Sequence, residues 1–395
     1  MADNKFPLDG VRVLDFTQVM MGPSATQMLG DWGADVIKVE RPKYGDLARA
    51  YFGSRTEPVP FNPVFCSLNR NKRSITLNTK NKGGIEAVYK LVEQMDVVIN
   101  NFRPGVMDRM GLGYEKLKDI NPRIIFASGS GFGDSGPNVS KGGQDVLAQA
   151  MTGVMTRKPD NSNPTAIFGT TLCDYTAGMH LVQGILAALL MREKTGEGQM
   201  VKVSLYDSML AMQMQEAAMI LEENYELNWS VMPLTGAFET SDGALVLVGA
   251  FKPNPLQDIC RVLGLEDLSK TYSDFDSQRA NKKLIQDSFR KAFLKNTTEY
   301  WLERLEEEDL LCAPIRNLRE ALDDPQTKHN EMVADVPLNN NLTARLIGSP
   351  VKLSAVQFKV RHSPPDLGQD THNILQEYGF DDSQIKTMKD QGDLG

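Results

Sequence analysis

The sequence predicts an α/β fold with a larger and a smaller part, and three features carry that reading. Strand-like and helix-like segments alternate through the first half of the chain, as βαβ units with parallel strands require. One very apolar segment, Leu181 to Met191, has Gln183 as its single strongly polar side chain and reads as a helix packed on several sides. Near Asn228-Trp229 the pattern changes to short strands followed by helices, which marks a second, smaller α/β unit. The 395 residues suffice for about two domains with a core that needs no staples.

Taken in order, Val11 to Phe16 alternates as a strand, Gly22-Pro23 breaks it, and Ser24 to Gly33 reads as a short helix. Asp35 to Glu40 is the next strand, so the first βαβ unit is complete with a right-handed crossover. Its first turn, Val19-Met20-Met21-Gly22-Pro23, has one glycine and not the G-x-G-x-x-G of a dinucleotide site, so neither NAD nor FAD is expected. Arg73 to Asn78 is a strand. Ile85, Val88, Leu91, Val92 and Met95 have helical spacing over 82–95, and Asp96 to Asn100 is again a strand. Arg123 to Ser128 is another, running into the glycine-rich loop Gly129 to Pro137; such a loop suits close backbone approach to a ligand, and equally a plain turn. Asp145 to Met155 is helical. Met200 to Leu205 is a strand, and 207–223 is a methionine-rich helix read as adaptable core. Phe238 to Val248 reads as two strands joined at Asp242-Gly243. Helices follow at 255–263 and 278–310, short strands within 335–360, and one helix with an exposed tail over 366–391.

Bulk properties exclude several classes. Hydrophobic residues at 41% and charged residues at 24% describe a globular chain rather than a disordered one. A net charge of −8 disfavours general nucleic-acid binding, so an anionic ligand needs a local cluster of bases. Cys66, Cys173, Cys260 and Cys312 lie far apart, which fits a reducing compartment and neither a disulfide framework nor a structural zinc site. With no signal-like start and no run of eighteen apolar residues, the expected location is the cytoplasm without a membrane span.

Chemistry-bearing residues concentrate in a few places. Asp174 starts the apolar helix, where free N–H groups and the helix dipole favour a carboxylate; it is an N-cap or a functional group. Cys173 beside it lacks a Cys–His pattern and reads as buried filler. His180 reads as a packed, hydrogen-bonded histidine, and His329, His362 and His372 lack metal-ligand spacing, so no metal is expected. Arg41, the Asn69 to Arg73 run, Asn101-Phe102-Arg103-Pro104-Gly105 and Arg109 fall at predicted strand ends. Together they suit a seat for phosphates.

Several motifs occur in a fixed order: Asn101 to Gly105, Arg109-Met110-Gly111-Leu112-Gly113-Tyr114, Asn121-Pro122-Arg123, Ser130-Gly131-Phe132-Gly133, Gly136-Pro137, Asp174-Tyr175-Thr176-Ala177-Gly178, Thr195 to Gln199, and Ser204 to Ser208. From about Leu8 to the C-terminal helix the chain resembles the family III coenzyme A transferases, relatives of the α-methylacyl-CoA racemases. The resemblance implies a large Rossmann-like, CoA-binding domain built from both chain ends (1–226 and 331–395), a smaller inserted α/β domain (227–330), and an interlocked homodimer. It implies Asp174 as the nucleophile, with acyl-CoA and a free carboxylic acid as substrates and no permanently bound cofactor. Carried over by position, CoA contacts fall on Arg41, on Leu77, Asn78, Thr79 and Lys80, on Asn101 and Phe102, and on Arg109 and Met110, with Arg103 from the same basic cluster. Val19 and Met20 face the thiol end, and Lys141 and Gln144 belong to a loop that reaches the site.

Two departures from the resemblance bear on function. Where the racemases carry a proton-transferring histidine this chain has Gln144, which cannot titrate, so transfer is preferred over racemisation. Formyl-CoA transferases carry a glutamine at the position of Met20 and a tetraglycine loop in the small domain; neither is present here, so oxalate is no better supported than another small or medium carboxylate. A racemase-like enzyme and a non-catalytic CoA-binding protein stand as alternatives.

Overall fold

The computed structural model describes residues 6–50, 62–158, 164–339 and 342–395. They form two compact units. The first takes in residues up to Thr152, Ile167–Met212 and Lys328 onward; the second takes in Gly153–Ala166 and Gln213–Thr327.

The first unit is organised by six strands: β1 Arg12–Asp15, β2 Asp35–Glu40, β3 Lys72–Thr76, β4 Val97–Asn100, β5 Ile125–Ser130 and β6 Met200–Ser204. They make one parallel sheet in the order β3-β2-β1-β4-β5-β6, with Leu14 of β1 opposite both Ile37 and Val98. Both faces are covered by helices, which is why Val13, Leu14, Val97, Val98 and Ile99 form continuous apolar runs with no exposure. The order reverses between β1 and β4, and in such sheets ligands bind beyond the carboxyl ends of the strands at that reversal.

The helices of this unit up to residue 212 are α1 Met21–Asp31, α2 Pro63–Leu68, α3 Lys82–Val92, α4 Val106–Arg109, α5 Tyr114–Ile120, α6 Asp145–Met151, α7 Leu172–Thr195 and α8 Leu205–Met212. Helix α1 packs closely on α7. A Cβ at Gly178 would lie 2.4 Å from Ser24 Oγ and 2.7 Å from the Met21 carbonyl, so glycine sets how near the two helix starts approach. Helix α7 is the apolar helix expected from the sequence, yet among the described residues only one side of it is covered. Leu181, Val182, Ile185, Ala188 and Leu189 are buried, whereas Leu190 and Met191 are 69% and 54% exposed.

Three other expectations change. The methionine-rich helix over 207–223 breaks at Gln213 into α8 and a helix over Met214–Glu223, and the unit boundary falls there rather than at residue 227. The Asn69 to Lys72 run is not a phosphate seat but part of the interior. Arg70 forks onto Asp31 at 2.6 and 3.0 Å, and Lys72 Nζ meets Asp15 at 3.3 Å and donates to Asn69 Oδ1 at 2.8 Å. Arg73 is likewise spent on Asp35 and Glu377. The C-terminal stretch holds two helices, Thr371–Glu377 and Asp382–Asp390, and its tail is not exposed: Asp393 and Leu394 are buried, and Asn78 donates from its backbone to the Asp393 carbonyl at 2.8 Å.

The second unit carries a three-stranded antiparallel sheet, Thr235–Glu239, Ala244–Val248 and Leu311–Pro314, with the middle strand between the other two. Phe238 pairs across from Leu245 and packs with Phe289, Phe293 and Trp301 from the helices behind it. The Trp301 indole N–H donates to the Phe293 carbonyl at 2.7 Å, so this core leaves its one polar edge satisfied.

Candidate active site

The reversal between β1 and β4 brings two loops together, Thr17–Met20 and Asn101–Gly105. Asn101 clamps the first: its Oδ1 accepts from Gln18 N–H at 2.9 Å and its Nδ2 donates to the Gln18 carbonyl at 2.8 Å. The next residue, Val19, holds φ at +69°, a left-handed conformation that opposes a β-branched side chain.

Two adjoining cavities of about 360 Å³ each open at these loops. One is walled by Val19, Met20, Asn101, Phe102, Arg103, Lys141, Gln144 and Asp174. The other is walled by Arg41, Leu77, Thr79, Lys80, Phe102 and Met110. Gln18, Leu47 and Phe102 belong to both walls, so the cavities form one groove running from Asp174 to Lys80. Two expected residues stand outside it. Asn78 is turned to the C-terminal segment, its Nδ2 donating to the Gly392 carbonyl at 3.0 Å, and Arg109 is exposed at the end of α4. A further cavity of about 450 Å³ beyond Arg103 and Phe132 is lined by Ser128, Lys202 and Asp207 and holds no other expected site residue.

Asp174 lies in the first turn of α7, and the helix has no side-chain cap bond, so Asp174 is not spent as an N-cap. Its backbone N–H donates to Asp145 Oδ2 at 2.9 Å; that N–H is therefore not free to meet a developing oxyanion. Asp145 is buried in the first turn of α6, where its other oxygen accepts from Gln149 at 2.6 Å. Burial, and then the nearby Asp145 carboxylate, push the Asp174 carboxyl up to about 6. The same burial drives the Cys173 thiol up to about 12, which removes the thiolate and with it a cysteine nucleophile. His180 is half-buried and shares a hydrogen bond between Nδ1 and Ser208 Oγ at 3.0 Å. Gln144 caps α6, its Oε1 accepting from Val146 N–H at 3.0 Å.

The opposite wall is built on backbone contact. A Cβ at Gly131 would lie 2.3 Å from the Gly143 Cα, and one at Gly142 would lie 2.8 Å from an Arg103 guanidinium nitrogen. In the glycine-rich loop the close approach is between two segments of loop, Gly131 against Gly143, which is packing within the chain rather than approach to a ligand. The charges divide cleanly. Among the described residues Arg41, Lys80, Arg103 and Lys141 have no ion-pair partner, while the interior cations Lys38, Arg49, Arg70 and Lys72 each have one. Sequence reasoning missed Asp145, which reads as an ordinary helix start, and Asp46-Leu47, which it does not single out. Nothing local marks the latter, because their role depends on where the sheet reverses.

These features sit in a recognisable whole. Residues 8–371 match the family model described as CoA-transferase family III. The chain is 34% identical to human succinyl-CoA:glutarate CoA-transferase over 404 residues, covering 99% of this chain and 90% of that protein. It is 34% identical to formyl-CoA:oxalate CoA-transferase of Streptomyces coelicolor, covering 98% of each. The fold matches the crystal structure of a CAIB/BAIF family protein from Brucella suis with a TM-score of 0.82 at 29% identity, over 95% of this chain and 100% of that one. With this coverage, and with a carboxylate and a row of unpaired cations sharing one groove, the chain belongs to CoA-transferase family III.

Proposed function

We propose that this enzyme moves CoA from an acyl-CoA to a free carboxylic acid by covalent catalysis at Asp174. The observation that carries the reading is the groove, which joins a carboxylate with a raised proton affinity to cations that lack partners. A carboxyl titrating at about 6 is roughly nine-tenths ionised at pH 7 and more nucleophilic than an ordinary one. Asp174 attacks the thioester carbonyl; a C–O bond forms, the C–S bond breaks and CoA leaves as thiolate. The thiolate attacks Asp174 Cγ, the donor acid departs with its new oxygen, and an aspartyl-CoA thioester remains. The acceptor carboxylate then attacks Cγ and expels the thiolate, which takes the acyl group from the second anhydride and frees Asp174. Arg41 and Lys80 hold phosphates at the far end of the groove, with Thr79, Leu77, Phe102 and Met110 along the pantetheine arm. Asn78 and Arg109 act, in this reading, from outside the groove wall.

Gln144 cannot exchange a proton with a substrate α-carbon, which disfavours racemisation. The acceptor is a small or medium carboxylate, of which oxalate and glutarate are two. The exposed apolar face of α7 is the support for a homodimer, since a helix apolar nearly all round is ordinarily covered on all sides. The deciding experiment is intact-protein mass after exposure to a panel of acyl-CoAs, followed by hydroxylamine, for wild type and Asp174→Ala. A hydroxamate at Asp174, absent in the variant, is the expected result. No adduct with any donor, while CoA still binds, overturns it.

A further inference from the structure

We propose that Lys38 and Asp46 are positioning residues of the reaction, a buried ion pair that holds the strained Thr17–Met20 loop against the groove. The inference rests on Asp174 being the reacting group. Lys38 is in the middle of β2 and Asp46 is in the loop beyond it; both side chains are fully shielded from solvent, and Lys38 Nζ meets Asp46 Oδ2 at 2.9 Å.

Each partner also reaches the loop. Lys38 Nζ donates to the Thr17 carbonyl at 2.8 Å, and Asp46 Oδ1 accepts from Val19 N–H at 3.0 Å. Together with the Asn101 clamp on Gln18, three consecutive residues are fixed by four hydrogen bonds. That density has a reason. Val19 stands at φ +69°, and a valine returns to the extended region unless its surroundings hold it. Val19 and Met20 line the cavity that contains Asp174, so relaxation of this turn would move the wall beside the reacting carboxylate.

Asp46 is itself fixed at the other side. Its N–H donates to Glu40 Oε2 at 2.9 Å and its Oδ1 also accepts from Ala48 N–H at 2.9 Å, while Glu40 is forked by Arg49 at 2.7 Å on each oxygen. The pair therefore ties the loop after β1 to the loop after β2, which carries Arg41 and Leu47 of the same groove. A buried pair of this kind is weak support for stability alone, and its attested use is to fix one arrangement.

The test uses Lys38→Met/Asp46→Leu, which is neutral and removes the bonds to Thr17 and Val19. Three readouts are taken: the rate of Asp174 adduct formation at saturating acyl-CoA, the dissociation constant for CoA, and amide hydrogen exchange over residues 16–21. The expected result is an adduct rate at least tenfold lower, a dissociation constant changed less than threefold, and exchange at least tenfold faster. Adding Val19→Gly, which reaches positive φ without strain, then restores at least threefold of the rate, a rescue that general destabilisation does not give. Unchanged rate and exchange overturn the proposal, as does a Val19→Gly effect of equal size with and without the pair. If the leucine variant does not fold, Lys38→Met/Asp46→Asn discharges the pair while keeping its shape, and the same Val19→Gly ratio decides. A wild-type protein that binds CoA and yields no adduct refutes the role of Asp174 instead, and leaves the exchange comparison to judge the positioning.

Discussion

Asp174→Asn is expected to make the enzyme more stable while, on the proposed mechanism, removing its transfer activity. The carboxyl is pushed from an ordinary 3.8 to about 6 by burial and by Asp145, so the folded state prefers the protonated form. At about 1.4 kcal/mol per pH unit the ionised group opposes folding by up to about 3 kcal/mol. Partial exposure reduces this to about 1–3 kcal/mol. The sign follows from proton binding. Well below 3.8, at about pH 3 and under, the group is protonated folded and unfolded, and it does not oppose folding. As pH rises through 6 the unfolded chain has released the proton and the folded chain is forced to, and the full penalty is present at pH 7. Asparagine keeps the shape and cannot ionise. Thermal melts of Asp174→Asn and wild type therefore coincide near pH 3 and separate by about 2–6 °C in favour of the variant at pH 7.5. A gap that is absent at pH 7.5, or that does not change between the two pH values, refutes the argument, because either outcome means the carboxylate is not held in an unfavourable site.

Other perturbations follow from the same geometry. Asp145→Asn keeps an acceptor for the Asp174 N–H and removes the like charge, so the acid limb of the pH–rate profile moves to lower pH; an unmoved limb assigns the shift to burial alone. Gly143→Ala forces a Cβ to within 2.4 Å of the Gly131 Cα, a backbone neighbour that cannot rotate away. It should lower stability by about 1–3 kcal/mol, and kcat/KM should fall at least tenfold because Lys141 and Gln144 ride on that loop; a melt and rate equal to wild type would show the loop to be free. Lys72→Met leaves Asp15 buried without its partner and should cost about 3–5 kcal/mol in a urea titration, against which Lys80→Met should be near neutral for stability and should raise KM for acyl-CoA.

Much of the fold was legible because both faces of the sheet are covered. Asp35–Glu40 and Pro255–Leu263 fall where the pattern put them, since a strand between two helix layers and a short amphipathic helix each impose a clear apolar period. Boundaries that depend on tertiary contact were not legible. Gln213 breaks a stretch that alternates smoothly enough to read as one helix, and Asp393 and Leu394 look like a solvated tail until the Asn78 loop is found lying against them. The site divides in the same way. Asp174 announces itself by standing at the start of an apolar helix, and most of the expected contacts do share its groove. Asp145 and Asp46 do not announce themselves, because their importance lies in what they touch across 29 and 27 residues of sequence.

The cations show why a place at a strand end is not enough without knowing which end it is. On β2, Lys38 is inside the strand, wholly buried and paired with Asp46, while Arg41 stands one residue past the strand's end, exposed and facing the groove. On β3 the arrangement repeats: Lys72 opens the strand, buried against Asp15, and Lys80 lies just beyond its carboxyl end, exposed and in the same groove. A cation within a covered parallel strand has no water and must be matched by a carboxylate of the fold, so it has no charge left for a ligand. A cation just past the carboxyl end stays hydrated until an anion displaces that water, and there its charge is available. The Asn69 to Arg73 run falls at a strand end, as the sequence suggests, but it is the amino end of β3, and by this rule it belongs to the interior. The net charge of −8 is silent on the matter, since it sums both populations with the rest of the surface. The bases available to a polyanion in the proposed site are the small set that the sheet delivers to one edge without an ion-pair partner.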